Sequence, residues 1–161
     1  MKVRLIQIGK TDSDYLARGI DEYKKRVSHY LNIEEITLKC LDSATKQGVI
    51  AQKNAEGKLI LGNVTGKEPI ILLDEKGKEF TSIEFAEYLR KTQNQHFKRI
   101  NFCIGGPFGF SDEVLKNASQ KISFSKMTFS HQMIRLFFWE QLYRANTILK
   151  GEKYQIGRAH V

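Results

Sequence analysis

The sequence predicts a single α/β domain with a mostly parallel sheet and helices on both faces. Strand-like apolar runs alternate along the chain with segments whose apolar residues recur at helical spacing. The run at 69–74 is apolar almost throughout, which is typical of a strand buried on both faces, and the mainly apolar run at 99–104 predicts another buried strand. Because parallel strands need crossover connections, this alternation favours a parallel sheet covered by helices. The length of 161 residues suits one compact domain.

The first half of the chain supplies three predicted strands and two predicted helices. Residues 3–9 and 34–41 predict strands, and the run at 69–74 predicts a third strand in the centre of the sheet. A more polar helix is expected at 45–61. The first helix, capped by residue 12 or 13, carries apolar residues three and four positions apart: Leu16, Ile20, Tyr23 and Val27.

The second half continues this order as far as a fourth strand. After a loop at 75–81, Ser82 is expected to cap a helix with an apolar face, and residues 99–104 predict the fourth strand. The chain contains no linker-like, repeated or low-complexity segment. We therefore expect residues 1–154 to form one domain.

The last third departs from this alternation. A glycine-rich turn at 105–109 precedes a short helix at 112–118, a short strand at 122–125 and a long helix that starts at His131. The long helix is apolar on nearly every side, so one small domain cannot cover all of it. The sequence therefore predicts a homodimer that buries the spare face of this helix, whose apolar residues are Met133, Ile134, Leu136, Phe137, Phe138, Trp139, Leu142, Tyr143, Ala145, Ile148 and Leu149.

The composition restricts the class of partner. Lysine and arginine number 26 against 18 acidic residues, giving a formal net charge of +8, which favours RNA or DNA, although many basic proteins bind neither. Cys40 and Cys103 lie in separate apolar runs and predict neither a disulfide framework nor a metal site. Because the sequence shows no signal-peptide core and no run of about 20 uncharged apolar residues, we expect a cytoplasmic protein without membrane contact.

The glycine-rich turn, Gly105 to Gly109, is the first candidate ligand site. It directly follows a buried strand, where open α/β sheets bind ligands, and its glycines allow close approach of the backbone. Its spacing matches neither the dinucleotide fingerprint nor a phosphate-binding P-loop. Asp74 closes the third strand at the same edge of the sheet. A tight turn without a ligand, and an aspartate that merely ends a strand, are the alternatives.

His131 and Arg135 form a second candidate site. They lie four positions apart and would share one face of a helix, which suits the binding of an anion or the transfer of a proton. A histidine that only caps the helix is the structural alternative.

Four segments carry a resemblance to a known family. They are Leu72-Leu73-Asp74, the run 104–109, the run from Ser123 to Arg135 that reads SFSKMTFSHQMIR, and the run 140–145. In these segments the sequence resembles the RlmH family of SPOUT-class ribosomal RNA methyltransferases. The resemblance extends from Met1 to about Tyr154.

The resemblance implies a SPOUT-type fold with a carboxy-terminal trefoil knot, an obligate homodimer, and S-adenosylmethionine as methyl donor. The implied reaction is methylation of N3 of a pseudouridine in 23S rRNA of the assembled 70S ribosome. The implied cofactor contacts are Leu73, Gly105, Phe124, Ser125, Lys126, Met127, Thr128 and Phe129. Two alternatives remain open: a SPOUT methyltransferase that acts on another rRNA or tRNA position, and a non-catalytic ribosome-binding module.

The implied chemistry needs a group that removes the N3 proton of the base. His131 and Tyr154 are the candidates for this proton acceptor. Arg135 and Arg144 are better suited to hold phosphate or to stabilise the developing imide anion. The sequence does not choose between the two proton acceptors.

The carboxyl end departs from the family. The family ends in tyrosine and histidine, whereas Tyr154 is followed here by an atypical tail at 155–161. These seven residues can be encoded by codons that, after a first base C, match the start of a widely used sequencing adapter, and C is also the first base of a histidine codon. We therefore interpret the tail as adapter read-through and expect a histidine in place of Gln155.

Overall fold

The computed structural model describes residues 1–155, which form a five-stranded sheet covered by helices. The strands are β1 (Lys2–Ile8), β2 (Asn32–Leu38), β3 (Ile70–Glu79), β4 (Arg99–Ile104) and β5 (Gln120–Ser123). They lie in the order β2-β1-β4-β3-β5, and all four pairings of neighbouring strands are parallel. The helices are α1 (Asp14–Val27), α2 (Asp42–Lys46), α3 (Val49–Gly62), α4 (Ser82–Gln93), α5 (Asp112–Asn117) and α6 (Met133–Leu149). A 3-10 turn at Lys153–Gln155 follows α6.

Helices bury both faces of the sheet, which confirms the predicted fold class. Helices α1, α4 and α6 cover one face, and α3 and α5 cover the other. Successive side chains of a strand point to opposite faces. Accordingly Leu5 of β1 belongs to the core that contains Trp139 of α6, whereas Ile6 belongs to the core that contains Ile60 and Val114. The apolar residues of the runs at 69–74 and 99–104 contribute to both cores.

Strand β3 is longer than the sequence predicts. The loop expected at 75–81 is wrong over most of its length, because β3 continues to Glu79. The pairing with β5 shifts after Leu73, and both Leu73 and Lys78 pair with Ile122. A Cβ at Gly77 would lie 2.6 Å from the carbonyl carbon of Lys121, so only glycine lets β3 run this close to β5.

Two helix boundaries also differ from the prediction. The helix expected at 45–61 is two helices, because Gly48 has a φ of 107° and interrupts the helical backbone between α2 and α3. Thr81, not Ser82, caps α4, and its hydroxyl and the Glu84 carboxylate form a reciprocal capping box. The Ser82 hydroxyl instead donates to Gln141 of α6 at 2.8 Å.

Helix α6 starts at Met133, two residues later than predicted, and the hydroxyl oxygen of Ser130 accepts the Met133 N–H at 3.0 Å. Within residues 1–155, no helix is both long and apolar enough to cross a membrane. The trefoil knot stays a prediction of the resemblance. Apart from Gln155, the tail lies outside the described residues.

Candidate functional site

A cleft of about 500 Å³ lies at the carboxyl ends of β3, β4 and β5. Each of these three neighbouring strands contributes an apolar residue to the wall of the cleft: Leu73, Ile104 and Ile122. Parallel strands end at the same edge of a sheet, and this edge is where open α/β folds bind ligands. The volume is typical of a small-molecule site.

The glycine-rich turn forms one wall of the cleft. The Gly109 N–H donates to the Gly106 carbonyl at 3.1 Å, and Gly109 has a φ of 82°, which favours glycine. A Cβ at Gly105 would lie 3.1 Å from the Gly109 carbonyl oxygen, closer than an ordinary contact. Gly105 therefore contributes backbone alone to the surface of the cleft.

A second wall is the segment 124–131, which hydroxyl groups hold in shape. The Met127 N–H donates to the Ser125 hydroxyl oxygen at 3.0 Å. The Thr128 hydroxyl donates to the carboxylate of Glu75, which lies on β3. The Met127 side chain is 74% exposed although it is apolar. Such an apolar group at a cleft is available to cover a ligand.

The structure brings together most of the predicted cofactor residues. Those that line the cleft are Leu73, Gly105, Phe124, Ser125, Met127, Thr128 and Phe129. Lys126 is the exception, because its ammonium lies 3.7 Å from the Glu79 carboxylate and its side chain is 85% exposed. Asp74, which the sequence places at this edge, also lines the cleft.

His131 lines the same cleft and is half-buried. Burial, followed by the positive charge of Arg135, lowers the pKa of His131 below its ordinary value. The imidazole is therefore neutral at pH 7 and has a ring nitrogen able to accept a proton. Its Nε2 lies 3.4 Å from the amide nitrogen of Gln132.

Arg135 has a different environment from the one that the sequence interpretation expected. Its side chain is fully buried, and each guanidinium nitrogen has an acceptor inside the chain. Nη2 donates to the Ile8 carbonyl at 2.7 Å, Nη1 to the Thr11 hydroxyl at 3.1 Å, and Nε to the His131 carbonyl at 3.2 Å. Arg135 therefore joins the end of β1 to the start of α6 and is not among the residues that line the cleft.

Tyr154 follows α6 and packs back against the carboxyl half of this helix, beside Glu140, Tyr143 and Arg144. Its hydroxyl donates to the Glu140 carboxylate at 3.1 Å and lies 3.4 Å from the Tyr23 hydroxyl. Burial and these two hydrogen bonds raise the pKa of Tyr154. The Glu140 carboxylate that accepts the Tyr154 hydroxyl is nine residues after His131, about 14 Å along a helix axis, and Tyr154 is not among the residues that line the cleft. One chain therefore does not bring the two candidate proton acceptors together.

Arg144 belongs to the Tyr154 end as well. Its guanidinium carbon lies 4.6 Å from the centre of the Tyr154 ring, and its Nη2 lies 2.6 Å from the Glu140 carboxylate. Nη1 donates to the side-chain oxygen of Gln155 at 2.9 Å. The Tyr154 ring also packs edge-on against Tyr143, with ring centroids 4.7 Å apart.

Comparison with known proteins identifies the family. A family model described as a predicted SPOUT methyltransferase matches residues 1–155. The ribosomal RNA large subunit methyltransferase H of Parabacteroides distasonis is 51% identical over 154 residues, which cover 96% of this chain and 98% of that protein. The protein of the same name from Christiangramia forsetii has the same identity and coverage. The chain belongs to the RlmH family of SPOUT methyltransferases.

Solved structures agree with this family on the fold. This RlmH-family chain is similar to the crystal structure of a tRNA (m1G37) methyltransferase from Aquifex aeolicus, with a TM-score of 0.55 and 14% identity over 89% of this chain and 70% of that one. A probable methylase family protein from Haemophilus influenzae Rd KW20 gives a TM-score of 0.53 and 13% identity over 94% of this chain and 69% of that one. At such identities the likeness concerns the fold alone.

RlmH-family enzymes use S-adenosylmethionine, and the cleft fits this cofactor. Leu73, Phe124 and Phe129 supply apolar side chains for the faces of an adenine ring, and the Gly105 backbone can bond its edge. Charged side chains of both signs lie around the same cleft, which suits the ammonium and carboxylate groups of the cofactor: Lys53, Asp74, Glu75, Lys76 and Lys121.

Sequence reasoning missed Lys53 and Glu75 as cleft residues of this RlmH-family chain. Glu75 was assigned to a loop, although its position directly after Asp74 was a usable signal. Lys53 lies on α3 and reaches the cleft only through tertiary packing, for which the sequence carries no local signal. Among the described residues, no cluster of histidine, cysteine and carboxylate side chains could hold a metal ion.

Proposed function

We propose that this chain transfers the methyl group of S-adenosylmethionine to N3 of a pseudouridine in 23S rRNA of the assembled ribosome. Relatives named ribosomal RNA large subunit methyltransferase H, at 51% identity over nearly the whole chain, carry the proposal. The net charge of +8 supports a polyanionic substrate. The proposal treats residues 1–154 as one methyltransferase domain that acts in the cytoplasm, where ribosomes are.

The cofactor occupies the cleft in this proposal. When bound there, S-adenosylmethionine supplies an electrophilic methyl group on a sulfonium. Gly105 presents its backbone to the adenine edge, and Leu73, Phe124 and Phe129 cover the rings and exclude water. Met127 and Thr128 complete this wall, while the backbone of Lys126 links them to Ser125.

His131 is the proton acceptor that the geometry favours. It lines the cleft, and its lowered pKa keeps the imidazole neutral and able to take the N3 proton of the base. Arg135 holds the His131 carbonyl and the end of β1 together, so it acts as a positioning residue. Tyr154 in the same chain lies outside the cleft, and burial and its hydrogen bonds raise its pKa.

The proposal includes a homodimer built on α6. Several apolar side chains of this helix stay partly exposed in one chain: Met133, Ile134, Leu136, Phe137 and Tyr143. Next to α6, Phe129 and Phe137 line an apolar pocket of about 240 Å³ that three further phenylalanines share. Partial exposure of large apolar groups favours a protein partner.

A two-fold axis across the middle of α6 would make each site composite. It would bring the carboxyl end of one α6 beside the amino end of the other. Tyr154 of the partner subunit and its neighbour Arg144 of the partner subunit would then lie beside the cleft that contains His131, where arginine can bind RNA phosphate. Sedimentation at micromolar concentration tests this part, and a stable monomer with full activity would contradict it.

Mass-spectrometric mapping of methylated nucleosides tests the reaction itself. Protein and isotope-labelled S-adenosylmethionine are incubated with 70S ribosomes, with free 23S rRNA and with tRNA. We expect labelled N3-methylpseudouridine in ribosomes. Methylation confined to tRNA would contradict the substrate, and binding of ribosomes without any methyl transfer would contradict catalysis.

A further inference from the structure

Glu56 is a buried carboxylic acid that the proposed reaction does not use. It lies on α3 and only 3% of its surface is exposed. Its Oε1 has no hydrogen-bond partner among residues 1–155, and its Oε2 accepts one long bond, from the Gln52 amide at 3.4 Å. An isolated buried carboxyl group is costly, so its position calls for a reason other than stability.

The glycine-rich turn lies directly against this carboxyl group. A Cβ added at Gly106 would lie 2.6 Å from Oε2 and 2.8 Å from Oε1 of Glu56, and its three nearest atoms all belong to Glu56. Position 106 therefore has room for the Glu56 carboxyl group only because it has no side chain. The neighbouring residue, Gly105, lines the cleft.

The next residue on α3 fixes the other side of the turn. A Cβ at Gly57 would lie 2.3 Å from the Ser111 hydroxyl oxygen, so α3 packs closely on the residue that caps α5. The chain between Gly106 and Ser111 is thus held at both ends by two consecutive residues of α3. A shift of α3 at this point would move the wall of the cleft.

We propose that Glu56 is a positioning residue for the cofactor site: its carboxyl group supports Gly106 and thereby sets the position of the Gly105 backbone. The inference rests on the proposal that this cleft binds S-adenosylmethionine. Glu56 itself is not among the residues that line the cleft, so it acts through the turn.

The state of the carboxyl group follows from its surroundings. Burial raises the pKa of Glu56, and the Gln52 amide only partly offsets this. Burial, followed by the nearby Glu56, raises the pKa of the Cys40 thiol, and no cation forms an ion pair with Glu56 among the described residues. Glutamine, which is neutral and of the same shape, should therefore replace it well.

Four variants test the contact: Glu56→Gln, Glu56→Ala, Gly106→Ala and the double variant Glu56→Ala/Gly106→Ala. Calorimetry measures the Kd for S-adenosylhomocysteine, a sedimentation assay measures ribosome binding, and thermal unfolding measures the fold. The matched control is Gly62→Ala, because Gly62 also lies on α3 but a Cβ there meets nothing within 4 Å.

We expect Glu56→Ala and Gly106→Ala each to weaken cofactor binding about tenfold, whereas Glu56→Gln and Gly62→Ala stay within about threefold of the unchanged chain. The alanine Cβ at 106 fits into the space that Glu56→Ala vacates. The double variant should therefore bind at least about fivefold more tightly than Gly106→Ala alone. Ribosome binding should change little in all four.

Two results would overturn the inference. One is a folded Gly106→Ala or Glu56→Ala that binds cofactor as the unchanged chain does, and the other is a double variant whose losses simply add. If Glu56→Ala fails to fold, the cofactor affinities of Gly106→Ala and Glu56→Gln still decide. Normal binding by Gly106→Ala, or a loss in Glu56→Gln as large as that in Gly106→Ala, would overturn the inference. Failure of the unchanged chain to bind S-adenosylhomocysteine would instead contradict the proposed function.

Discussion

The two ends of α6 carry sites of different construction. At the amino end, the cleft is shaped by backbone: the turn around Gly105, the hydroxyl-held segment after Phe124, and the carboxyl ends of parallel strands. At the carboxyl end, Tyr154 and Arg144 interact through their side chains, by ring packing, a cation over a ring, and hydrogen bonds to Glu140. A backbone-built pocket tolerates changes of side chain but not of shape, and a side-chain cluster shows the opposite sensitivity.

The largest effect is expected for Gly105→Val. A branched side chain would extend beyond the Cβ position that already lies 3.1 Å from the Gly109 carbonyl, and it would occupy cleft volume. We expect cofactor binding to fall below detection by calorimetry, while circular dichroism shows a folded protein. Gly62→Val is the control and should bind nearly normally, because a Cβ at Gly62 meets nothing within 4 Å and Gly62 does not line the cleft. A folded Gly105→Val that binds normally would show that the wall is not built from this backbone.

His131→Asn should lower methyl transfer on the order of 100-fold, a typical contribution of a general base. Cofactor affinity should change little, because asparagine keeps polarity and comparable size. The measurement is the single-turnover rate on 70S ribosomes. An unchanged rate would remove His131 from proton transfer.

The pH dependence gives a second test of His131. Since burial lowers its pKa, the neutral, proton-accepting form is already dominant at pH 6.5 and is lost only as the pH falls below the lowered pKa. The rate of the unchanged chain should therefore be level from neutral pH upward and decline under more acidic conditions. His131→Asn should lack this decline, and a midpoint above pH 6.5 would contradict the assignment.

Arg135→Ala should mainly destabilise the fold. It removes a buried guanidinium and leaves the Ile8 and His131 carbonyls and the Thr11 hydroxyl without their donor. We expect the free energy of unfolding in urea to fall by about 3 kcal/mol. Arg135→Lys should recover only part of this, because lysine lacks the planar fork. If Arg135→Ala had normal stability but did not bind RNA, Arg135 would instead be a substrate-binding residue.

Tyr154→Phe should have the smallest effect on one chain. It removes a hydroxyl that donates to Glu140 but keeps the ring packed against Tyr143. We expect about 1 kcal/mol less stability in urea and no change in cofactor affinity. A large loss of cofactor affinity would mean that the two ends of α6 are not separate sites.

The parts of the fold that the sequence predicts well are those with a continuous local pattern. The strands at 69–74 and 99–104 were recognisable because both of their faces are buried, so most of their positions are apolar. The extension of β3 to Glu79 was missed because it depends on the fit of Gly77 against the β5 backbone. The break at Gly48 was missed because the flanking residues form helix on both sides.

The candidate site likewise has parts that a local sequence pattern predicts and parts that depend on contacts between distant residues. The residues that line the cleft belong to contiguous motifs, Leu72-Leu73-Asp74, the glycine-rich turn and the run after Ser123, so the sequence could supply them. The environment of Arg135 could not be predicted, because its spacing from His131 along the chain says nothing of the Ile8 carbonyl, which lies 127 positions away. The separation of His131 from Tyr154 likewise could not be predicted, because the chain turns back after α6 and places the Tyr154 hydroxyl beside Glu140.

The position of β1 in the sheet has a consequence for how the chain is made. Strand β1 pairs with β4, and Lys2 faces Arg99, so the first strand cannot acquire its second neighbour until most of the chain exists. At typical rates of about 5 to 20 residues per second, roughly 5 to 20 s of synthesis pass first. During that time β1 has one unpaired edge and apolar side chains on both faces. A nascent chain that stalls before residue 99 should therefore aggregate, and one that passes residue 104 should not.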